Sequence, residues 1–149
     1  MTEKHISRII PILYRYNQCF FAKKLKEHFL PIDVAHIPSL MQVYRNPGIT
    51  QDGISMNIGM DKGTVARTVK QLEDAGLVTR QTDEKDRRAN HIYATPKGLE
   101  IKEQIFQIIE ELHRVLYRGF DAGEIDRAFG YIERMKDNMD GCLKGERDR

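Results

Sequence analysis

Apolar residues recur at helical spacing through most of the 149-residue chain, and glycine and proline separate the segments. The pattern predicts helices over about residues 5–30, 33–45, 51–58, 62–75 and 96–118. A last helix should begin near residue 122, and its apolar stripe consists of Ile125, Ala128, Phe129, Ile132, Met135 and Met139. The tail KGERDR is expected to fray. Pro11 should kink the first helix or mark its true start, and Pro38 should bend the second helix or delay its start.

Start and stop signals are sharpest in the middle of the chain. Thr50 and Asp61 precede the two shorter helices, and such side chains cap helix N-termini, while Gly59 and Gly76 follow these helices. Two β-forming runs at 77–82 and 91–95 flank the charged stretch DEKDRRAN and predict a hairpin with a long tip. A helix pair with a tight glycine-containing turn, followed by a hairpin, indicates a winged helix-turn-helix. The expected fold class is mainly α with a small β-hairpin wing (α+β).

The helix over 62–75 has two different faces. Val65, Val69 and Leu72 share one side and should enter the core. The opposite side carries small and hydrogen-bonding residues, namely Lys62, Gly63, Thr64, Arg67, Lys70 and Gln71. A helix that enters a DNA major groove needs such donors, together with a small residue where the backbone comes close. An ordinary solvated helix face is the alternative.

The hairpin tip places Lys85, Arg87 and Arg88 among acidic residues. Basic side chains on an extended tip can reach the minor groove, where the negative potential is strongest. A polar loop facing solvent is the alternative. The net charge is only +2, so affinity for nucleic acid must come from where these charges lie.

Other classes of protein find little support in the sequence. No apolar run approaches ~18 residues and no signal peptide is evident, so we expect a cytoplasmic protein without a membrane partner. Cys19 and Cys142 lie far apart and the histidines are scattered, which predicts no metal site and no cofactor. No catalytic triad, P-loop or GxGxxG motif indicates an enzyme. We expect Cys19 to be a buried, inert thiol.

Three stretches together carry a resemblance: NPGITQ at 46–51, MDKGTVARTVKQLEDAGLVTR at 60–80, and DRRANHIYATPKG at 86–98. With the long flanking helices, the chain resembles the MarR family of bacterial and archaeal transcription regulators. The resemblance implies that Asp86 holds one wing arginine while another arginine enters the minor groove. It also implies contacts to the bases or the DNA backbone from residues of both short helices, namely Thr50, Gln51, Lys62, Gly63, Thr64, Arg67, Thr68 and Gln71.

The resemblance further implies a homodimer that represses transcription from a pseudo-palindromic operator on double-stranded DNA. A small aromatic or phenolic ligand would release it. The expected organisation is an N-terminal dimerisation helix at 1–32, a DNA-binding lobe at 33–95 and C-terminal dimerisation helices at 96–149. Gly53, Gly63 and Pro38 depart from the usual pattern of the family. A winged-helix module that binds proteins remains the alternative, and a steep salt dependence of duplex affinity would argue against it.

Overall fold

The computed structural model describes residues 4–147. These residues form seven α-helices, one 3-10 turn and a small three-stranded sheet, which confirms the expected fold class. In chain order the elements are α1 (Ile6–Glu27), the 3-10 turn (Val34–His36), α2 (Ile37–Arg45), β1 (Ile49–Thr50), α3 (Gln51–Ile58), α4 (Lys62–Asp74), β2 (Val78–Thr82), β3 (Asn90–Ala94), α5 (Pro96–Glu100), α6 (Lys102–Leu116) and α7 (Ala122–Arg147).

The sheet has the strand order β1-β3-β2, and both pairings are antiparallel. The hairpin register places Val78 opposite Ala94 and Thr82 opposite Asn90. The third strand, β1, was not predicted, because two residues are too short to display an alternating pattern. It pairs with β3 beside the turn residue Gly48, whose N–H donates to the Ile92 carbonyl at 2.9 Å.

The helix boundaries show what the two prolines do. Pro11 lies inside α1 and does not mark its start. Pro38 occupies the first turn of α2, which begins at Ile37 after the 3-10 turn, so the proline delays the helix. The helix expected over 96–118 is interrupted at Ile101, which separates α5 from α6. The expectation of a frayed tail is wrong as far as Arg147, because α7 continues to that residue, and residues 148–149 lie outside the described part.

The described residues form two compact units, one ending at Leu112 and one beginning at His113. The first contains a single hydrophobic core to which α2, α4, the sheet and α6 contribute. Val65, Val69 and Leu72 are fully buried, as the helix periodicity predicts. The second unit contains α7, on which large apolar side chains are exposed, namely Phe129, Tyr131, Ile132, Met135, Met139 and Leu143.

A junction within the first unit joins the end of α4 to the start of α5. Lys97 Nζ donates to the Ala75 carbonyl at 2.9 Å, and Thr95 Oγ1 donates to the Gly76 carbonyl at 2.5 Å. The buried hydroxyl of Tyr44 donates to the Gly98 carbonyl, and burial raises the pKa of Tyr44 to about 12. A Cβ at Gly98 would lie 2.1 Å from the Leu77 carbonyl oxygen, so the two backbones touch directly. We call these contacts the α4–α5 junction.

The surroundings of Cys19 and Gly53 differ from what the sequence predicts. Cys19 is exposed, so the expectation of a buried thiol is wrong; in α1 only Phe21 and Leu25 are buried. Gly53 fits a tight position, because a Cβ there would lie 2.9 Å from Ile49 Cγ1 and the isoleucine side chain would have to shift. Among the described residues, no helix is long and apolar enough to cross a membrane.

Candidate nucleic-acid interface

The N-terminus of α4 is fixed by a short chain of hydrogen bonds on its exposed face. The Asp61 carboxylate accepts the backbone N–H of Thr64 at 3.0 Å and the Thr64 hydroxyl at 2.6 Å. Arg67 Nη2 then donates to Thr64 Oγ1 at 3.1 Å. These hydrogen bonds from the Thr64 side chain and backbone lower the pKa of Asp61, so the carboxylate stays charged at neutral pH. The cap therefore also orients Arg67, the arginine of the exposed face.

The remaining cations of α4 have weakly held partners. Lys62 pairs with Asp52 at 3.6 Å, and Lys70 pairs with Asp74 at 3.1 Å. All four side chains are more than half exposed, so each ion pair contributes little stability. Gly63, next to Lys62, is exposed as well. Both ammonium groups can therefore exchange a carboxylate for a phosphate at small cost.

Thr68 does not belong to this face. Its side chain is only 6% exposed and lies on the core side of α4. Residue 68 follows Val65 by three positions and precedes Leu72 by four, so all three share one side of the helix. The implied contact of Thr68 with DNA is therefore wrong for this chain.

Gln71 is held from outside its own helix. Its Oε1 lies 2.7 Å from His36 Nε2, in the 3-10 turn. Since the amide oxygen accepts, the imidazole nitrogen donates, and the side-chain NH₂ of Gln71 remains for another partner. The two residues are 35 positions apart, and no local pattern in the sequence links them.

The start of α3 and the wing share one cleft of about 290 Å³, whose lining includes Thr50, Gln51, Asp86 and Arg88. Thr50 Oγ1 accepts the N–H of Gly53 at 3.0 Å, which confirms Thr50 as the cap of α3. Gln51 Nε2 is buried and has no hydrogen-bond partner among the described residues. Buried donors are normally satisfied, so this nitrogen has capacity for an oxygen ligand such as a phosphate.

The wing tip is shaped by aspartates that bind backbone. Asp83 Oδ1 accepts the N–H groups of Lys85 at 2.8 Å and Asp86 at 3.3 Å, and Asp86 Oδ1 accepts the N–H of Arg88 at 3.0 Å. Asp86 forms no ion pair with Arg87 or Arg88 among the described residues, so the expected grip on an arginine side chain is not observed. Instead Asp86 orients the backbone, which leaves Lys85, Arg87 and Arg88 exposed.

His91 lies at the base of this tip, and no pattern in the sequence singles it out. Its Nδ1 is 2.8 Å from the Gly48 carbonyl oxygen, and its Nε2 is 2.8 Å from Asp83 Oδ2. The hydrogen bond with Asp83, followed by that with Gly48, raises the pKa of His91. The hydrogen bond with His91, followed by that from Lys85, lowers the pKa of Asp83. The position of Gly48, 43 residues away, becomes known only when β1 is placed.

No group of three or more His, Cys, Asp or Glu side chains among the described residues could hold a metal ion.

Comparison with known proteins decides the family. The model of the MarR family matches residues 35–89. The crystal structure of a MarR transcriptional regulator from Methanosarcina mazei Go1 is 36% identical, with a TM-score of 0.80, over 89% of this chain and 94% of that one. The chain belongs to the MarR family. This MarR-family chain is also 28% identical over 101 residues to the uncharacterized HTH-type transcriptional regulator YybA of Bacillus subtilis (strain 168), covering 68% of this chain and 67% of that protein.

A more distant MarR-family structure shows the same fold. The putative MarR family transcriptional regulator from Listeria monocytogenes, complexed with 26mer DNA, is 24% identical with a TM-score of 0.85 over 92% of this chain and 90% of that one. The winged-helix prediction is therefore confirmed, and the protein is a transcriptional regulator of a family whose members are generally not enzymes.

Proposed function

We propose that this MarR-family protein is a repressor that binds a pseudo-palindromic operator as a homodimer and is released by a small phenolic ligand. The observation that carries the DNA-binding part is that the polar face of α4 and the basic wing tip are both exposed. Lys62, Arg67 and Lys70 supply three cations on the helix. They would lie in the major groove, where Arg67 and Gln71 would face bases and the two lysines would face phosphates.

The wing and the start of α3 would complete the contact with DNA. Lys85, Arg87 and Arg88 carry no carboxylate partner among the described residues, so their charges are available to phosphates or to the minor groove. The free Gln51 amide and the Arg88 side chain border the same cleft, which suits one phosphate oxygen between them. The Listeria relative, whose structure contains DNA, supports the same use of this fold.

The homodimer is supported by apolar faces that the single chain leaves uncovered. In α1, Ile6, Ile9, Ile10 and Leu13 are exposed, and α7 exposes Phe129, Ile132, Met135 and Met139. Exposed apolar patches of this extent mark interaction sites. A two-fold dimer would cover them and would place two α4 helices in successive turns of the major groove. In this proposal residues 1–32 and 96–149 form the dimer, and residues 33–95 bind the DNA.

The ligand is proposed from a cleft of about 560 Å³ at the end of α1, lined mostly by apolar residues such as Leu25, Leu30 and Ile32. Lys26 and Asp33 also border this cleft. Apolar walls with one ammonium and one carboxylate group suit an aromatic ring that carries a phenolic hydroxyl, which can donate to the carboxylate. Entry of the ligand would shift the segment before the 3-10 turn. His36 of that turn is hydrogen-bonded to Gln71 on α4, so the shift would reach the proposed DNA-binding face.

The test begins with duplex fragments that the purified protein selects from the genome of its source. Affinity for a selected fragment should fall steeply with salt, because each phosphate contact contributes about −0.9 to the slope of log K against log salt. In the double variant Arg87→Ala with Arg88→Ala, the slope should become shallower by about one for each phosphate that is no longer neutralised. Arg134→Ala on α7 is the matched control and should keep the wild-type slope.

Contrary outcomes are well defined. A monomer without duplex affinity in dilute buffer would overturn the proposal, and salt-insensitive binding to a protein would favour an interaction module. Adding phenolic compounds to the bound complex tests the ligand. Failure of every such compound to release the DNA would remove that part of the proposal.

A further inference from the structure

The imidazole of His91 faces two acceptors at once. The Gly48 carbonyl and the ionised Asp83 carboxylate both act only as hydrogen-bond acceptors. A neutral imidazole has one N–H and can satisfy one of them, whereas the imidazolium has two and satisfies both. With both N···O distances at 2.8 Å, the geometry matches the charged ring.

These contacts join three separate parts of the DNA-binding lobe. His91 belongs to β3, Gly48 to the turn before β1, and Asp83 to the first position of the wing tip. The other oxygen of Asp83 holds the backbone N–H groups of Lys85 and Asp86. A continuous set of hydrogen bonds therefore runs from the turn before β1, through the His91 ring, to the loop that carries Lys85, Arg87 and Arg88.

Among the described residues, the elements packed against β3 contribute no other titratable side chain that hydrogen-bonds the His91 ring. The elements packed against β3 include β1, which has no titratable residue, and α2, α3, β2 and α5. Their titratable residues are Tyr44, Arg45, Asp52, Arg80, Lys97 and Glu100. Arg80 pairs with Glu73 and lies opposite Ile92, on the other face of the sheet from His91. Within the sheet, the partners of His91 are the neutral residues Thr50 and Gln81. Asp83 is therefore the charged group that contacts the ring.

We propose that the protonated His91 ring clamps the wing tip to the turn before β1, and that loss of its proton loosens the tip and weakens operator binding. The part that concerns DNA rests on the proposed function. The sign follows from the two groups: the pKa of His91 is raised and that of Asp83 is lowered. The clamp is fully present below the ordinary histidine pKa and is lost as pH rises through the raised value. At the acid end it is lost as pH falls through the lowered pKa of Asp83.

The first test uses the free protein and needs no DNA. An NMR titration of the His91 ring should give a midpoint above about 6.5, and Asp83→Asn should move it down. Hydrogen exchange at the Lys85 and Asp86 amides, corrected for the intrinsic effect of pH, should accelerate as His91 loses its proton. A midpoint at or below the ordinary value, or unchanged protection through the titration, would overturn the clamp.

The second test measures affinity for a selected duplex between pH 6 and pH 9. Wild-type affinity should fall over this range by about threefold or more beyond the fall in His91→Gln, whose side chain does not titrate. His28→Gln, at an exposed histidine after α1, is the matched control and should keep the wild-type profile. Identical profiles for wild type and His91→Gln would contradict the proposal. Absence of all duplex binding would instead remove the proposed function, while the NMR result would still decide the clamp.

Discussion

Arg67 is directed by its own helix. One of its donors is used on Thr64 Oγ1, which is itself fixed by Asp61, and the side chain remains exposed. A guanidinium carries five donors in a rigid fork, so the others stay available. Arginine paired with the O6 and N7 of guanine is the commonest specific contact in the major groove. In the proposed complex, the Asp61–Thr64–Arg67 chain would therefore reduce the conformational entropy that the arginine side chain loses on contact with a base.

Substitutions of Arg67 distinguish hydrogen bonding to a base from electrostatic attraction to phosphate. Arg67→Ala should reduce specific binding by ~1–3 kcal/mol while the fold remains intact. Arg67→Lys keeps the charge but loses the fork, so the salt slope should persist while discrimination between operators falls. Both variants are compared on the selected duplex and on a scrambled one. Equal discrimination by Arg67→Lys and wild type would show that Arg67 contacts phosphate and not a base.

The polar face of α4 was predictable because it depends on periodicity within one helix. Lys62, Gly63, Arg67, Lys70 and Gln71 are all exposed, as predicted. Thr68 was misplaced because resemblance to a family assigns contacts without measuring burial in this chain.

Long-range contacts lay outside the reach of any local pattern. His36 meets Gln71, and His91 meets Gly48, only after the chain has folded. The partner of Asp86 was also missed, because a sequence does not indicate whether a carboxylate binds backbone or side chain.

Close backbone packing joins the end of α4 to β2 and to the start of α5. At the α4–α5 junction, Gly98 allows its own backbone to touch the Leu77 carbonyl. The Thr95 hydroxyl that accepts the N–H of Gly98 also donates to Gly76, where the backbone turns left-handed with φ of +76°. This junction fixes the end of α4 with respect to β2 and α5.

A methyl group at Gly98 should disrupt that packing. Gly98→Ala should lower the free energy of unfolding by ~3 kcal/mol or more, since a backbone oxygen cannot move aside as a side chain can. Gly141→Ala is the matched control, because nothing lies within 4 Å of its Cβ position on α7. That variant should leave stability unchanged or raise it by up to ~1 kcal/mol. Urea unfolding followed by circular dichroism measures both, and similar stabilities would contradict the backbone contact.

Most helices and strands could be predicted from the spacing of apolar residues, from capping residues and from glycine and proline. The elements that were not predicted have physical causes. The short helices began and ended where Thr50, Gly59 and Asp61 predicted. The strand β1 is defined by its pairing partner and not by its own two residues. The break between α5 and α6 occurs at Ile101, where neither a glycine nor a proline indicates the end of a helix.

The complete molecule is proposed to be a pair of chains, because so much apolar surface remains uncovered. On α7, Phe129 is 64% exposed and Ile132 is 53% exposed. Residues at this spacing form one stripe along a helix, which suits a partner helix. Two linked lobes would also bind a two-part operator far more tightly than one lobe would.

A charge within that stripe should separate the chains. Ile132→Glu should convert the dimer to a monomer at micromolar concentration and reduce operator affinity with it. Arg134→Glu, on the other side of α7, introduces the same carboxylate and should remain dimeric. Sedimentation velocity measures the mass of each variant. A wild-type monomer, or an Ile132→Glu dimer, would count against the proposed interface.

The α4–α5 junction has a mechanical consequence. The Ala75 and Gly76 carbonyls, just beyond α4, accept hydrogen bonds from Lys97 and Thr95, so a movement of α5 would displace the end of α4 as well. Under the proposed function, a small tilt of α4 that follows such a displacement would move its donors out of line with the base edges. Release of the proposed operator would then require only this movement of α4 and no local unfolding.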